Sequence, residues 1–230
     1  MNITVLPSNL ARVRDEIASV QGREGRTQDV RILAVTKGYP PAAVQAAISG
    51  GIAWVGENRV QEALAKQDEL GPVSCAWHLI GHLQTNKARF VPRRFAMVHS
   101  VDSLRVVRAL GEAVERVDAP ALPILIQVNV SGETQKSGSP MAEAEDLVGS
   151  AAEIPGLQLR GLMTMAPLTD DEGHQRRVFA ELSRLRDRIA TSGPALPELS
   201  MGMSGDYRAA VAEGATIVRL GTALFGERTR

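Results

Sequence analysis

The chain has a single cysteine, Cys75, in 230 residues, so it closes no internal disulfide and offers no Cys/His set at zinc spacing. It has no surplus of charge either. Its 26 basic and 26 acidic residues cancel, which excludes the basic excess of a general nucleic-acid binder. No segment approaches the ~20 apolar residues that cross a bilayer. The opening MNITVLPSNLARVRDEIASV lacks the basic and then apolar regions of a secretory signal. Linkers, low-complexity tracts and tandem repeats are missing as well. Lysine is scarce: Lys37, Lys66, Lys87 and Lys136 stand among many arginines. The remainder, 44% hydrophobic and 23% charged, is an ordinary soluble composition with material for one sizeable core. A cytoplasmic protein without membrane or nucleic-acid partners is expected.

After a first amphipathic helix, roughly Leu10 to Val20, strand-like and helix-like segments alternate with little between them. Apolar runs begin at Ile32, Ala53, Ala76, Ala96, Pro123, Leu157, Glu198 and Thr216. Helical stretches fill 41–50, 57–70, 83–91, 103–117, 141–153, 172–190 and 206–214. The long ones carry the i, i+3, i+4 apolar spacing of a helix lying on a sheet, as in Val178, Leu182, Leu185 and Ile189. Several close on glycine, at Gly50, Gly71, Gly193 and Gly214. Eight such units on a chain near ~250 residues predict an α/β fold, a (β/α)₈ TIM barrel of one domain over residues 1–230 with an extra N-terminal helix. The rival is a doubly wound open sheet. It would be expected to carry a G-x-G-x-x-G turn after its first strand, and Thr36-Lys37-Gly38-Tyr39 is not one.

The stretch VRILAVTKGYPP reads as a buried strand that ends in a primary amine, Lys37. An ammonium at a dry strand end is partly desolvated, which lowers its pKa and makes it a better nucleophile. The competing reading is a solvated lysine opening a loop. Lysine forms Schiff bases and arginine does not, which gives meaning to the use of Lys here in an arginine-rich chain. In a barrel the site collects at the C-terminal strand ends, and phosphate is frequently held by the loops after strands seven and eight. Those loops contain Met203-Ser204-Gly205-Asp206, with a hydroxyl and a helix N-cap, and Gly221-Thr222, with a close-approach glycine and a second hydroxyl. Arg219 interrupts the apolar run Thr216–Leu220 and must face solvent or an inward partner, which makes it a candidate ligand contact. His78 and His82 flank strand three and read as structural histidines; Met163 and Met165 read as packing, and Asp102 as a helix cap. A phosphate site facing a strand-end lysine leaves two classes open: a Schiff-base aldolase for a sugar phosphate, or a carrier of pyridoxal 5′-phosphate (PLP).

The blocks AVTKGYP, VGENRVQE, WHLIGHLQTNK, HSVDS, QVNVSGETQKSG, GLMTMAP and LSMGMSGDYRAAVAEGATIVRLGTALFG, in this order from Ile32 to Gly226, resemble the pyridoxal phosphate homeostasis protein family. These are single-domain, fold-type III relatives of the alanine racemase barrel. The resemblance implies that Lys37 carries PLP as a Schiff base and that Ser204, Gly221 and Thr222 hold the phosphate. Arg219 would face the pyridine nitrogen, and Asn58 would line the ring side. His82 and Lys136 match the family without an assigned role. Some members have a second lysine where Tyr39 stands, so any role for that amine does not carry over. The resemblance also implies PLP and other B6 vitamers as ligands, with transient contact with apo PLP enzymes.

The barrel racemases place a tyrosine from a second domain opposite the lysine. The tyrosines here, Tyr39 and Tyr207, both fall in the barrel's own loops, and a two-base racemase needs catalysts on both faces of the substrate carbon. The expectation is therefore a monomeric holder of PLP that serves vitamin B6 and amino-acid homeostasis without efficient catalysis. A fold-type III amino-acid racemase or decarboxylase is the alternative.

Overall fold

The computed structural model describes residues 5–133 and 137–227; Lys136 lies outside the described residues. Eight parallel strands form the barrel: β1 Arg31–Val35, β2 Trp54–Glu57, β3 Ala76–Leu79, β4 Met97–Val101, β5 Leu122–Asn129, β6 Leu157–Met163, β7 Glu198–Ser200 and β8 Ile217–Leu220. Each pairs with the next, and β8 closes on β1 through Leu33 opposite Arg219. A further two-residue strand, Ser139–Pro140, extends beside the end of β5.

The helices between them are α2 Ala42–Ser49, α3 Val60–Leu70, α4 Leu104–Arg116, α5 Ala144–Ala152, α6 Glu172–Ser192 and α7 Tyr207–Ala212, with α1 Leu6–Glu24 before the barrel and α8 Thr222–Phe225 after it. The first helix is longer at both ends than its apolar stripe predicts. Proline in its first turn supplies a helical φ, and Gly25, at φ 62°, closes it in the left-handed region. Its buried stripe Leu6, Leu10, Val13, Ile17 and Val20 packs the helix against α7 and α8. Between β3 and β4 the expected α-helix over 83–91 is instead a 3₁₀ helix, Thr85–Phe90. Thr85 and Asn86 are weak helix formers, and Pro92 ends the segment before a second α-turn completes.

Two apolar cores result. The larger lies between the strands and the helical ring. The smaller fills the barrel itself with Leu33, Val35, Met97, Leu125, Met163 and Ile217, the layered packing of closed parallel barrels. His78, His99, Ser200 and Arg219 are buried polar residues on the barrel strands. Burial pushes the His78 imidazole down to about 3, helped by the Arg31 charge. It holds His99 well below the ordinary value too, with the charges at His78 and Arg219 adding to the effect.

Both folded-state pKa values are depressed, so the unfolded chain binds more protons below the ordinary histidine pKa of 6.5. The stability these groups contribute is present above pH 6.5 and is lost as pH falls below it, for His78 down towards about 3. Between pH 6.5 and about 5.5, above most of the range where ordinary carboxylates titrate, urea denaturation should show stability falling with acid at up to about 1.4 kcal/mol per pH unit for each histidine. Glu57, whose carboxyl is shifted upwards, opposes this in part. A flat profile over that window would mean that one or both imidazoles take up a proton in the fold.

Candidate functional site

At the C-terminal ends of the strands lies a cavity of about 410 Å³. Lys37 after β1, Asn58 after β2, and Ser204, Gly221 and Thr222 after β7 and β8 all line it, as does the Arg219 side chain. The six predicted contact positions are thus brought together by the barrel.

Lys37 sits in a turn closed by the Tyr39 N–H donating to the Thr36 carbonyl at 3.0 Å. Gly38 takes φ 70° at the third position, where a type II turn demands glycine. An ion cluster clamps this turn on both sides of the lysine. Lys66 of α3 donates to the Thr36 carbonyl at 2.8 Å, to Glu57 Oε1 at 2.6 Å and to Glu62 Oε1 at 3.0 Å. The Thr36 hydroxyl donates to Glu57 Oε1 at 2.6 Å, and the Gly38 N–H donates to Glu62 Oε1 at 2.7 Å. Residues 36 and 38 are therefore both tied to one Lys–Glu–Glu group. Burial raises the Glu57 carboxyl, and the hydrogen bond from Lys66 opposes that shift. Burial works to raise Glu62 as well, but the hydrogen bonds from Gly38 and Lys66 leave it lowered.

This cluster was not foreseen from the sequence. The available signal was Lys66 itself, one of few lysines, which extends the buried stripe Val60, Ala63 of α3 and stands four residues after Glu62.

At the loops after β7 and β8, Ser204 Oγ accepts from the Gly221 N–H at 3.2 Å and the Ala223 N–H at 3.1 Å. The loops after β7 and β8 meet through these bonds, and backbone donors converge with the hydroxyl there. Gly202, at φ 92°, lets the loop turn: a Cβ would stand 2.6 Å from Ala210 Cβ. Asp206 occupies the N-cap position of α7 but does not cap it. Its carboxylate instead accepts from the Met203 N–H within the loop.

Arg219 faces inward, 3% exposed. It donates to the Ser200 carbonyl at 2.6 Å, to Ser200 Oγ at 2.9 Å and to the Thr164 carbonyl at 2.9 Å. Burial pushes it down to about 10, against the pull of Asp206, and at neutral pH it keeps its charge.

The other predicted residues divide. His82 lines the cavity, and its Nδ1 lies 3.4 Å from Asp102 Oδ2. Asp102 therefore pairs with a histidine rather than capping α4, whose N-cap residue is Ser103. His78 belongs to β3 rather than to its edge and stacks on Trp54 at 4.7 Å. Met163 belongs to the inner apolar core, whereas Met165 reaches the cavity. Tyr39 lines the cavity and donates to the Gly226 carbonyl at 2.9 Å. Tyr207 is turned away from the site, with its hydroxyl on Glu16 of α1. Gln127, masked by the apolar residues around it in the run from Pro123, lines the cavity and donates to the Ser137 carbonyl at 2.8 Å.

The donor set is an amine, a guanidinium, an amide and a hydroxyl among backbone N–H groups. It suits a flat, anionic carbonyl compound, with capture at one end and anion binding at the other.

The chain matches the family model described as alanine racemase, N-terminal domain, over residues 8–229. It is 41% identical over 224 residues to the pyridoxal phosphate homeostasis protein of Escherichia coli K12, covering 96% of this chain and 95% of that one. With the protein of the same name from Pseudomonas aeruginosa the identity is 44% over 218 residues, covering 95% and 92%. Among solved structures, PipY of Synechococcus elongatus with PLP bound superposes with a TM-score of 0.84 at 35% identity, covering 96% of this chain and all of that one.

Replacing Lys66 by Met would strand the Glu57 carboxylate, fully buried and left with one of its two oxygens unpartnered even now. The expected cost is about 3–5 kcal/mol, read as a lower urea midpoint. A double variant with Glu57→Gln should regain part of that loss. A cost below about 1 kcal/mol for Lys66→Met would show that the clamp is not a working ion cluster.

Proposed function

The chain belongs to the alanine racemase N-terminal domain family and to the pyridoxal phosphate homeostasis proteins, and from that premise we propose that it takes up, protects and releases PLP in support of vitamin B6 and amino-acid homeostasis. The carrying observation is the convergence of Lys37, Arg219 and the Ser204–Gly221–Thr222 corner on one cavity. PLP supplies an aldehyde that primary amines capture reversibly, together with an anionic phosphate and a basic ring nitrogen.

Lys37 is the capturing amine, held on its clamped turn. Ser204, Gly221 and Thr222 receive the anionic group through the hydroxyls and backbone donors at the start of α8. Asn58, after β2, also lines the cavity. Arg219 meets the ring nitrogen. A guanidinium cannot accept a proton and disfavours a second positive charge beside it, so the electron-withdrawing power on which amino-acid chemistry depends is kept low. That suits a holder of the cofactor, and equally a racemase that must limit side reactions. The relatives' names favour the holder, being those of homeostasis proteins rather than enzymes. The reading extends to other B6 vitamers, to transient contact with apo PLP enzymes, and to action as a monomer in the cytoplasm, in keeping with the chain's sparing use of cysteine.

One observation favours a second reading, an amino-acid racemase or decarboxylase. His82 lines the cavity beside Asp102, and such a pair can move protons. The His82 side chain is 58% exposed, however, which leaves it open to water and its proton transfers poorly directed.

The wild-type protein should carry a visible absorption band that survives gel filtration and vanishes with borohydride, leaving a pyridoxyl mass on the Lys37 peptide. Lys37→Ala should lose the band. If that variant keeps the same band with no other lysine labelled, PLP is not held as proposed. Turnover of D- or L-amino acids at ~1 s⁻¹ or faster, abolished by His82→Gln, would favour the enzyme over the holder.

A further inference from the structure

The barrel interior, apolar elsewhere in its smaller core, carries a polar column beneath Arg219. Ser200 Oγ, which accepts from Arg219 at 2.9 Å, lies 2.8 Å from His99 Nδ1. His99 Nε2 lies 2.9 Å from His78 Nδ1, and the His78 ring stacks on Trp54. His99 and Ser200 are fully buried and His78 is 2% exposed. Neutral imidazoles at such a depth are costly to bury unless each ring nitrogen is matched to a partner.

The chemistry of the end group orders the whole column. Arginine donates only, so Ser200 Oγ is an acceptor towards Arg219 and has its own hydroxyl hydrogen to give. Its neighbour on the other side is His99 Nδ1, and the hydroxyl that gives its hydrogen there meets an unprotonated nitrogen. A neutral His99 carries its hydrogen on Nε2 and donates it to His78 Nδ1. His78 in turn carries its hydrogen on Nε2. Every bond in the series donates away from the cavity, and no carboxylate takes part.

We propose that Ser200, His99 and His78 are positioning residues forming a directed relay that fixes the Arg219 guanidinium through neutral hydrogen-bond acceptors, so that it presents its positive charge to the ring nitrogen of bound PLP. The assignment to PLP rests on the function proposed above; the direction of the relay does not. A carboxylate in place of Ser200 would hold the same side chain but cancel its charge. Neutral oxygens hold it in place and leave the charge for the cavity.

Two measurements test this on the intact protein. The first is ¹⁵N NMR of the histidine side chains in the PLP-free wild type at pH 7, where both buried rings should be neutral with hydrogen on Nε2. Hydrogen on His99 Nδ1, or a charged ring at either position, overturns the relay whether or not PLP binds. The second measures PLP affinity and the position of the visible band in His99→Leu, His99→Asn and Ser200→Ala. His99→Leu and Ser200→Ala should each weaken affinity about tenfold and move the band, the scale of one hydrogen bond to a charged group. His99→Asn, whose side-chain oxygen can accept from Ser200, should restore most of both. Unchanged affinity and band in His99→Leu, or a loss in His99→Asn equal to that in His99→Leu, overturns the positioning role. Should the wild type fail to retain PLP at all, the cofactor assignment and the role built on it fall, and the NMR result still decides the direction of the relay.

Discussion

The ion cluster of Lys66, Glu57 and Glu62 holds the backbone immediately before and after Lys37, and the site depends on that grip. A lysine side chain has four rotatable carbons and searches a wide volume when its backbone is loose. With Thr36 bonded to Lys66 and Gly38 bonded to Glu62, the point from which Lys37 swings is fixed. The clamp also joins β1, β2 and α3, so the same buried charges that place the amine tie a helix to the barrel wall.

Barrel closure does the rest of the placement. Leu33 is paired with Arg219 across the β1–β8 seam, so the guanidinium and the lysine come from neighbouring strands a few residues apart in height. Ser204 lies on the loop after β7, next around the barrel, and bonds to the start of α8 after β8. Three contiguous strands, β7, β8 and β1, thus supply the anchoring corner, the central charge and the amine. β2 and β3, next round the barrel from β1, add Asn58 and His82. Their loops approach closely at Gly81, where a Cβ would stand 2.3 Å from the Asn58 carbonyl oxygen.

Much of this was legible in the sequence because the barrel repeats one strong signal, a short apolar strand followed by an amphipathic helix. Strand ends then locate a site without any contact being known. Arg219 was legible because one charge in an otherwise apolar strand has few places to go. The residues that escaped are those whose meaning lies in long-range pairing. His99 sits in a β4 run buried at every position, so alternation could not say which face it takes. Glu57 and Lys66 are nine residues apart and meet only when α3 folds back on β2. The 3₁₀ helix after β3 was hidden because its composition resembles a short α-helix and only the proline at its end shortens it.

The two inward lysines show how one residue type is given two jobs. Lys66 Nζ donates to three oxygens, which uses every hydrogen of an ammonium. Such a group has no lone pair for attack on a carbonyl, and releasing a proton would leave Glu57 buried without its cation. Lys37, in contrast, lines the cavity. The commitment of Lys66 to charge is also what keeps the Lys37 turn in place.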